Sequence, residues 1–225
     1  MEEFLGVLFC GGRGTRLGEI TKYISKSFVP VYDRPVFKFG LELLTNSSNI
    51  SDIIILTNEM NHDALSREGY KTLLQDDSKV NDMFTGWEFI KEKTGTKANG
   101  VLVPSDNIIN ADIDFMIKTF EEKKCDLLFS LIKINNKQKL SEMGSFNFND
   151  RKFQYKNPSP EPNRDFGVLA PYIIRNNFQF NSDNIIFETD NSEILFYDGY
   201  WTDIGDVQSL AEANAHFQKV RKKNK

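Results

Sequence analysis

Between residues 10 and 26 the chain gathers side chains suited to holding phosphate: Cys10-Gly11-Gly12-Arg13-Gly14-Thr15-Arg16-Leu17, and then Lys26. Glycines let backbone N–H groups approach phosphate oxygens, an arginine adds planar, permanently charged donors, and a lysine adds a mobile point charge. The turn follows directly on Phe4–Cys10, a continuous apolar run that reads as a buried parallel strand. A glycine triplet alone is a weak signal, because dinucleotide-binding turns produce similar strings. Here it ends a strand and is coupled to Thr15-Arg16, to Lys26 and to Val31-Tyr32-Asp33-Arg34-Pro35, which makes the pattern specific.

Farther along, Val101-Leu102-Val103-Pro104-Ser105-Asp106 reads as a buried strand that delivers an acid at its end, where open α/β sheets present their ligands. Asp106 is therefore a metal candidate; an aspartate capping the next turn is the plainer alternative. Magnesium suits such a site, since it takes oxygen donors, keeps several waters and is held by one or two carboxylates plus substrate phosphates. Histidine contributes little: the chain has two, His62 and His216, both read as surface or helix-packing residues. Cys10 and Cys125 lie far apart without metal-ligand spacing, each in an apolar context, and read as buried free thiols with neither disulfide nor zinc.

These groups need strands and helices that bring them together. After the first strand, Pro35–Leu44 has near-helical spacing and Ser51–Thr57 is a second β-branched run. Leu74-Gln75-Asp76 ends another strand, helices are expected at Asp82–Lys93 and Asp112–Lys123, and strands at Gly100–Pro104 and Asp126–Ile134. The alternation predicts an α/β fold, three-layered and doubly wound (Rossmann-like), around a mostly parallel mixed sheet. From Gly144 the pattern turns to strands: a hairpin about Asn149-Asp150, then Gly167–Ile174 after a proline-rich link, then Ile194–Tyr197. A helix over Val207–Val220, N-capped by Asp206, closes the chain. With no repeat and no long linker, one domain over residues 1–225 is expected, in two halves, 1–135 and 136–225.

Lys plus Arg number 28 against 32 Asp plus Glu, and the net charge of −4 gives no general attraction for nucleic acid or an anionic membrane. Any phosphate affinity has to be local. The opening MEEFLGVLFC, two acids and a short apolar run, is neither a signal peptide nor a membrane span, so a cytoplasmic protein is expected.

The run Gly11–Leu17, the pair Ser25-Lys26 and the segment Val31–Pro35 together resemble the signature of the sugar-1-phosphate nucleotidyltransferase family, most nearly that of glucose-1-phosphate thymidylyltransferases. The resemblance implies a fold of nucleotide-diphospho-sugar transferase type, with residues 1–135 as the nucleotide-binding half and 136–225 as the acceptor-binding half. It implies that Gly11, Gly12, Gly14, Thr15 and Arg16 wrap a triphosphate, Arg13 standing at a variable position. Lys26 would neutralise the acceptor phosphate and the charge gathering at the attacked phosphorus. Asp106 resembles the aspartate of the family's GDN segment, with Pro104-Ser105 where leucine and glycine are commoner. Gly199-Tyr200-Trp201-Thr202-Asp203-Ile204-Gly205-Asp206 looks like its W-x-D-x-G segment, which makes Asp203 a second magnesium ligand. Gln75 matches a glutamine that reads the pyrimidine edge. On the acceptor side, Ser141–Phe146 is similar to a YGxV element and points to Gly144. Tyr155-Lys156-Asn157-Pro158 is similar to an E-K-P element and points to Lys156, with Tyr155 where glutamate is usual. Phe166–Tyr172 follows a sugar-lining strand and points to Tyr172.

The implied reaction is in-line attack by an acceptor phosphate oxygen on the α-phosphorus of a nucleoside triphosphate, dTTP or UTP, with pyrophosphate leaving. That nucleophile is ionised at neutral pH and needs no general base. The implied partners are the triphosphate and a phosphorylated small molecule, a sugar 1-phosphate first. A cytidylyl- or guanylyltransferase for heptose phosphate or phosphocholine is the alternative favoured by the short chain and Asn81-Asp82. A catalytically silent nucleotide sensor is the alternative of another class. The family's Glu-rich helical insert between Tyr172 and Trp201 is missing, so acceptor identity and assembly, a homo-oligomer included, stay open.

Overall fold

The computed structural model describes residues 2–148, 152–155, 166–179, 186–188 and 191–223. Its central strand, Phe4–Cys10, pairs in parallel with Asn99–Pro104 on one side and Ile50–Thr57 on the other, and Thr72–Leu74 extends the parallel set. Alternate residues of the central strand enter opposite cores: Leu5 and Val7 one, Phe4, Leu8 and Cys10 the other. A strand buried on both faces has no solvent side, which is why this run is apolar without a break. Helix Met83–Thr94 covers the first face through Phe84, Trp87 and Ile90. Helices Phe37–Thr45 and Ile113–Lys123 cover the second through Phe37, Leu44, Met116 and Phe120. Three layers result.

Past Asn99–Pro104 the sheet changes direction. Strand Phe166–Ile174 runs antiparallel, sharing one edge between Asn99–Pro104 and Gly144–Asn147 and giving the other to Leu127–Lys133. Lys152–Tyr155 and Ile186–Glu188 continue from Gly144–Asn147, and Ser192–Phe196 pairs in parallel with Leu127–Lys133. The ten-stranded sheet is mixed, parallel through the first half of the chain and largely antiparallel through the second.

Helix starts follow local chemistry. Asp82 accepts from the N–H groups of Phe84 and Thr85, while the Thr85 hydroxyl accepts from the Asp82 N–H. Asp112 accepts from Phe115 N–H, and Asp206 from Ser209 N–H at 2.7 Å, at the head of the closing helix Val207–Lys223. Helix Glu59–Arg67, capped by Asn58, was not expected; it buries only Asn61 and Leu65, so apolar spacing gives no sign of it. The Asn149-Asp150 turn and the proline-rich link lie outside the described residues. Among the described residues no helix is long and apolar enough to cross a membrane.

Two small sheets stand apart from the large one. Pro30–Val31 and Arg34–Pro35 form a tight hairpin with Tyr32 at φ 61°, and Asn107–Ile109 pairs antiparallel with Trp201–Asp203. A third core of Val31, Val36, Phe39, Ile108, Ile204 and Ala213 packs these pieces against the closing helix.

Candidate active site

The glycine turn leaves the end of the central strand and is pinned from one side. Asn61 Nδ2 donates to the Cys10 carbonyl at 2.6 Å and Asn58 Nδ2 to the Gly11 carbonyl at 3.1 Å. In a planar trans peptide the C=O and N–H point opposite ways, so these bonds turn the N–H groups of Gly11 and Gly12 away from helix Glu59–Arg67. Gly14 has φ 66°, and a Cβ there would stand 2.7 Å from the Lys26 Cβ, so both the backbone and its neighbour require glycine. Below the turn Cys10 is buried, and burial pushes its thiol up to about 12.

Lys26 Nζ donates to Asp106 Oδ2 at 2.5 Å and lies 3.7 Å from Asp203 Oδ1. The Arg16 guanidinium lies 3.7 Å from Asp203 Oδ2 and donates to Glu142. The small sheet joins the two aspartates: Asp203 pairs with Asn107, and Ile204 N–H donates to the Asp106 carbonyl at 2.8 Å. Asn107 ties the arrangement together, its Nδ2 donating to Asp106 Oδ1 and its Oδ1 accepting from Trp201 Nε1, both at 2.9 Å. Burial works against the Lys26 charge, but Asp106 and Asp203 outweigh it and hold the ammonium above its ordinary range. Burial also works against the Asp106 anion; the charge and hydrogen bond of Lys26, with the Asn107 bond, outweigh it and hold that carboxyl below the usual range.

These groups face one cleft of about 790 Å³, lined as well by Gly11, Gly12, Gly14, Gln75, Gly144 and Tyr172. Gln75 lies across Gly11, its Oε1 only 1.8 Å from where a Gly11 Cβ would be, and its Nε2 donates to Asp77, which pairs with Arg13. Tyr172 stacks on Phe84 at 5.3 Å.

Thr15 departs from expectation. It opens a 3-10 turn after the left-handed Gly14, is exposed and does not line the cleft. Val31–Pro35 also stands off the cleft and instead docks the closing helix, with Tyr32 N–H donating to Asn214 and the Tyr32 hydroxyl accepting from Arg221. Lys156 lies outside the described residues. Asn58, Asn61, Asn107 and Glu142 were missed as site residues. An Asn just before a helix was a readable sign only for Asn58; the Arg16–Glu142 bond joins positions 126 apart and left none.

The model of the nucleotidyl transferase family matches residues 5–152 and 60–220. The chain belongs to this family. It is 25% identical over 246 residues to a glucose-1-phosphate thymidylyltransferase of Neisseria meningitidis, covering 96% of this chain and 83% of that one. It is 24% identical over 259 residues to a glucose-1-phosphate adenylyltransferase of Clostridium kluyveri, covering 97% and 67%. A candidate glucose-1-phosphate thymidylyltransferase from Bacillus anthracis, solved in complex with sucrose, matches with a TM-score of 0.75 at 22% identity over 95% of this chain and 94% of that one. A likeness at that identity establishes the fold, which is the Rossmann-like α/β architecture the alternation of elements predicted.

The donors of this nucleotidyl transferase fit magnesium. Asp106 and Asp203 both face the Lys26 ammonium, at 2.5 and 3.7 Å, and all their donors are oxygens, the kind magnesium takes. Among the described residues no group of three His, Cys, Asp or Glu could hold a metal, so phosphate and water oxygens would have to complete the shell.

Proposed function

We propose that this nucleotidyl transferase condenses a sugar 1-phosphate with dTTP or UTP to give a nucleotide sugar and pyrophosphate, with Mg²⁺ held by Asp106 and Asp203. The observation that carries this reading is the convergence of Arg16, Lys26, Asp106 and Asp203 at the glycine turn of one cleft. The names of the Neisseria and Clostridium relatives support glucose 1-phosphate as the acceptor class.

In this reading the N–H groups of the glycine turn and Arg16 receive the triphosphate, and Gln75 meets the base. Gly144 and Tyr172 line the acceptor end. Lys26 opposes the charge building at the attacked phosphorus, and its aspartate partners fix it in place beforehand, so little reorganisation is needed at the moment of reaction. When bound, magnesium neutralises charge on the triphosphate oxygens. The acceptor phosphate is already ionised and needs no general base, and among the described residues lining the cleft none is a histidine. A cytidylyl reading loses part of its support, because Asp82 commits its carboxylate to the N–H groups of Phe84 and Thr85. An adenylyl reading gains some from the Clostridium relative.

The test is pyrophosphate release with magnesium, each of dTTP, UTP, CTP, GTP and ATP, and either glucose 1-phosphate or phosphocholine. Release with dTTP or UTP and glucose 1-phosphate is expected. Release confined to CTP and phosphocholine moves the protein to the cytidylyl class, release confined to ATP to the adenylyl class. Nucleotide binding without release from any pair leaves a sensor.

A further inference from the structure

We propose that Lys139 is a cation that receives the acceptor phosphate, an assignment that rests on the reaction proposed above. Among the described residues four basic side chains line the cleft: Arg13, Arg16, Lys26 and Lys139. Three are already engaged with carboxylates, Arg13 with Asp77, Arg16 with Glu142 and Asp203, and Lys26 with Asp106 and Asp203. The Lys139 ammonium forms no ion pair among the described residues and rests 4.7 Å from the centroid of the Trp201 ring.

A cation on the face of a half-buried indole is held less firmly than by the charge-assisted hydrogen bonds a phosphate dianion offers. Lys139 therefore leaves the ring for a phosphate at little cost. Its exposed, four-carbon stem gives it the reach to do so.

The resting place is next to the reacting centre. Trp201 and Asp203 are two apart in one strand and so share a face, and the Trp201 N–H is fixed by Asn107, which also bonds Asp106. Lys139 comes from the short helix Lys137–Ser141, which leads into Gly144 at the acceptor end. The triphosphate groups come instead from residues 11–16. An arriving acceptor phosphate brings negative charge into a cleft that already holds Asp106, Asp203 and Glu142, with Arg16 and Lys26 shared among them. A further cation beside Trp201 favours the binding of that charge.

The experiment is steady-state kinetics of Lys139→Ala and Lys139→Arg beside the wild type, using glucose 1-phosphate and whichever nucleotide supports release. Lys139→Ala is expected to raise KM for glucose 1-phosphate at least ten-fold while moving the nucleotide KM less than two-fold, with Lys139→Arg recovering most of the loss. An unchanged acceptor KM in Lys139→Ala, with the wild type active, overturns the assignment and leaves the reaction standing. A rise confined to the nucleotide KM overturns it as well, by placing Lys139 at the triphosphate. A wild type that releases no pyrophosphate with any nucleotide and acceptor overturns the reaction, and the assignment with it.

Discussion

Asp106 and Asp203 are fixed to one another through the main chain: Ile204 N–H donates to the Asp106 carbonyl at 2.8 Å, and Asp203 pairs with Asn107 in an antiparallel ladder. The ladder holds the two backbone positions that carry the carboxylates side by side. Lys26 and Arg16 then meet the pair from the glycine-turn side.

Asp106→Asn and Asp203→Asn keep the size of the side chain and remove the charge. Each is expected to lower kcat by about 100-fold or more, the scale of losing one electrostatic contact to a developing charge. Circular dichroism should show a wild-type spectrum in both. A variant that releases pyrophosphate at the wild-type rate removes its aspartate from the metal site.

Lys26→Met takes the ammonium away from a largely buried carboxylate. Breaking such a pair from one side costs about 3 kcal/mol at neutral pH, or roughly 6–12 °C in Tm for a chain of this size. Turnover should fall by orders of magnitude. The sign with pH follows from the two shifts. The Asp106 pKa is depressed in the fold, so its contribution is present above the ordinary carboxylate range and lost as pH falls through the folded value. The Lys26 pKa is raised, so its contribution is present below 10.5 and lost as pH rises through the folded value. The stability gap between wild type and Lys26→Met is therefore widest between those limits and narrows in acid, as denaturant titrations at several pH values would read. A gap that widens in acid contradicts the pairing.

Gly14→Ala and Gly12→Ala separate fold from binding. Gly14 is left-handed and crowds Lys26, so alanine there should cost about 1–2 kcal/mol. A Cβ on Gly12 meets nothing within 4 Å, and alanine there should leave Tm nearly unchanged while raising the nucleotide KM, since in the proposed reaction the added methyl would stand where a phosphate has to approach. Thermal melts and initial rates check both; an unchanged nucleotide KM in Gly12→Ala argues against a triphosphate on that turn.

Much of the fold was legible because local chemistry and burial agree. Phe4–Cys10 is apolar throughout and is buried on both faces, and Asp82, Asp112 and Asp206 sit where N-caps were needed. The glycine turn and Asp106 were readable because each follows a strand end, and Arg16 and Lys26 because they belong to the same motif. What was not legible depends on long-range pairing. The ladder of Asn107–Ile109 with Trp201–Asp203 joins segments too short to show a period of their own, so the meeting of the two aspartates rested on resemblance alone. Thr15 shows the opposite limit: it belongs to the motif in sequence, yet the turn after Gly14 leaves it in solvent.

Cys10 stands one residue before the glycine turn, yet it is sealed from the cleft with a thiol that stays protonated. Cys125, also buried and raised to about 11, is equally out of reach. Electrophilic inhibitors aimed at the turn would find no thiolate to capture, so covalent capture at a cysteine is closed to inhibitors of this cleft.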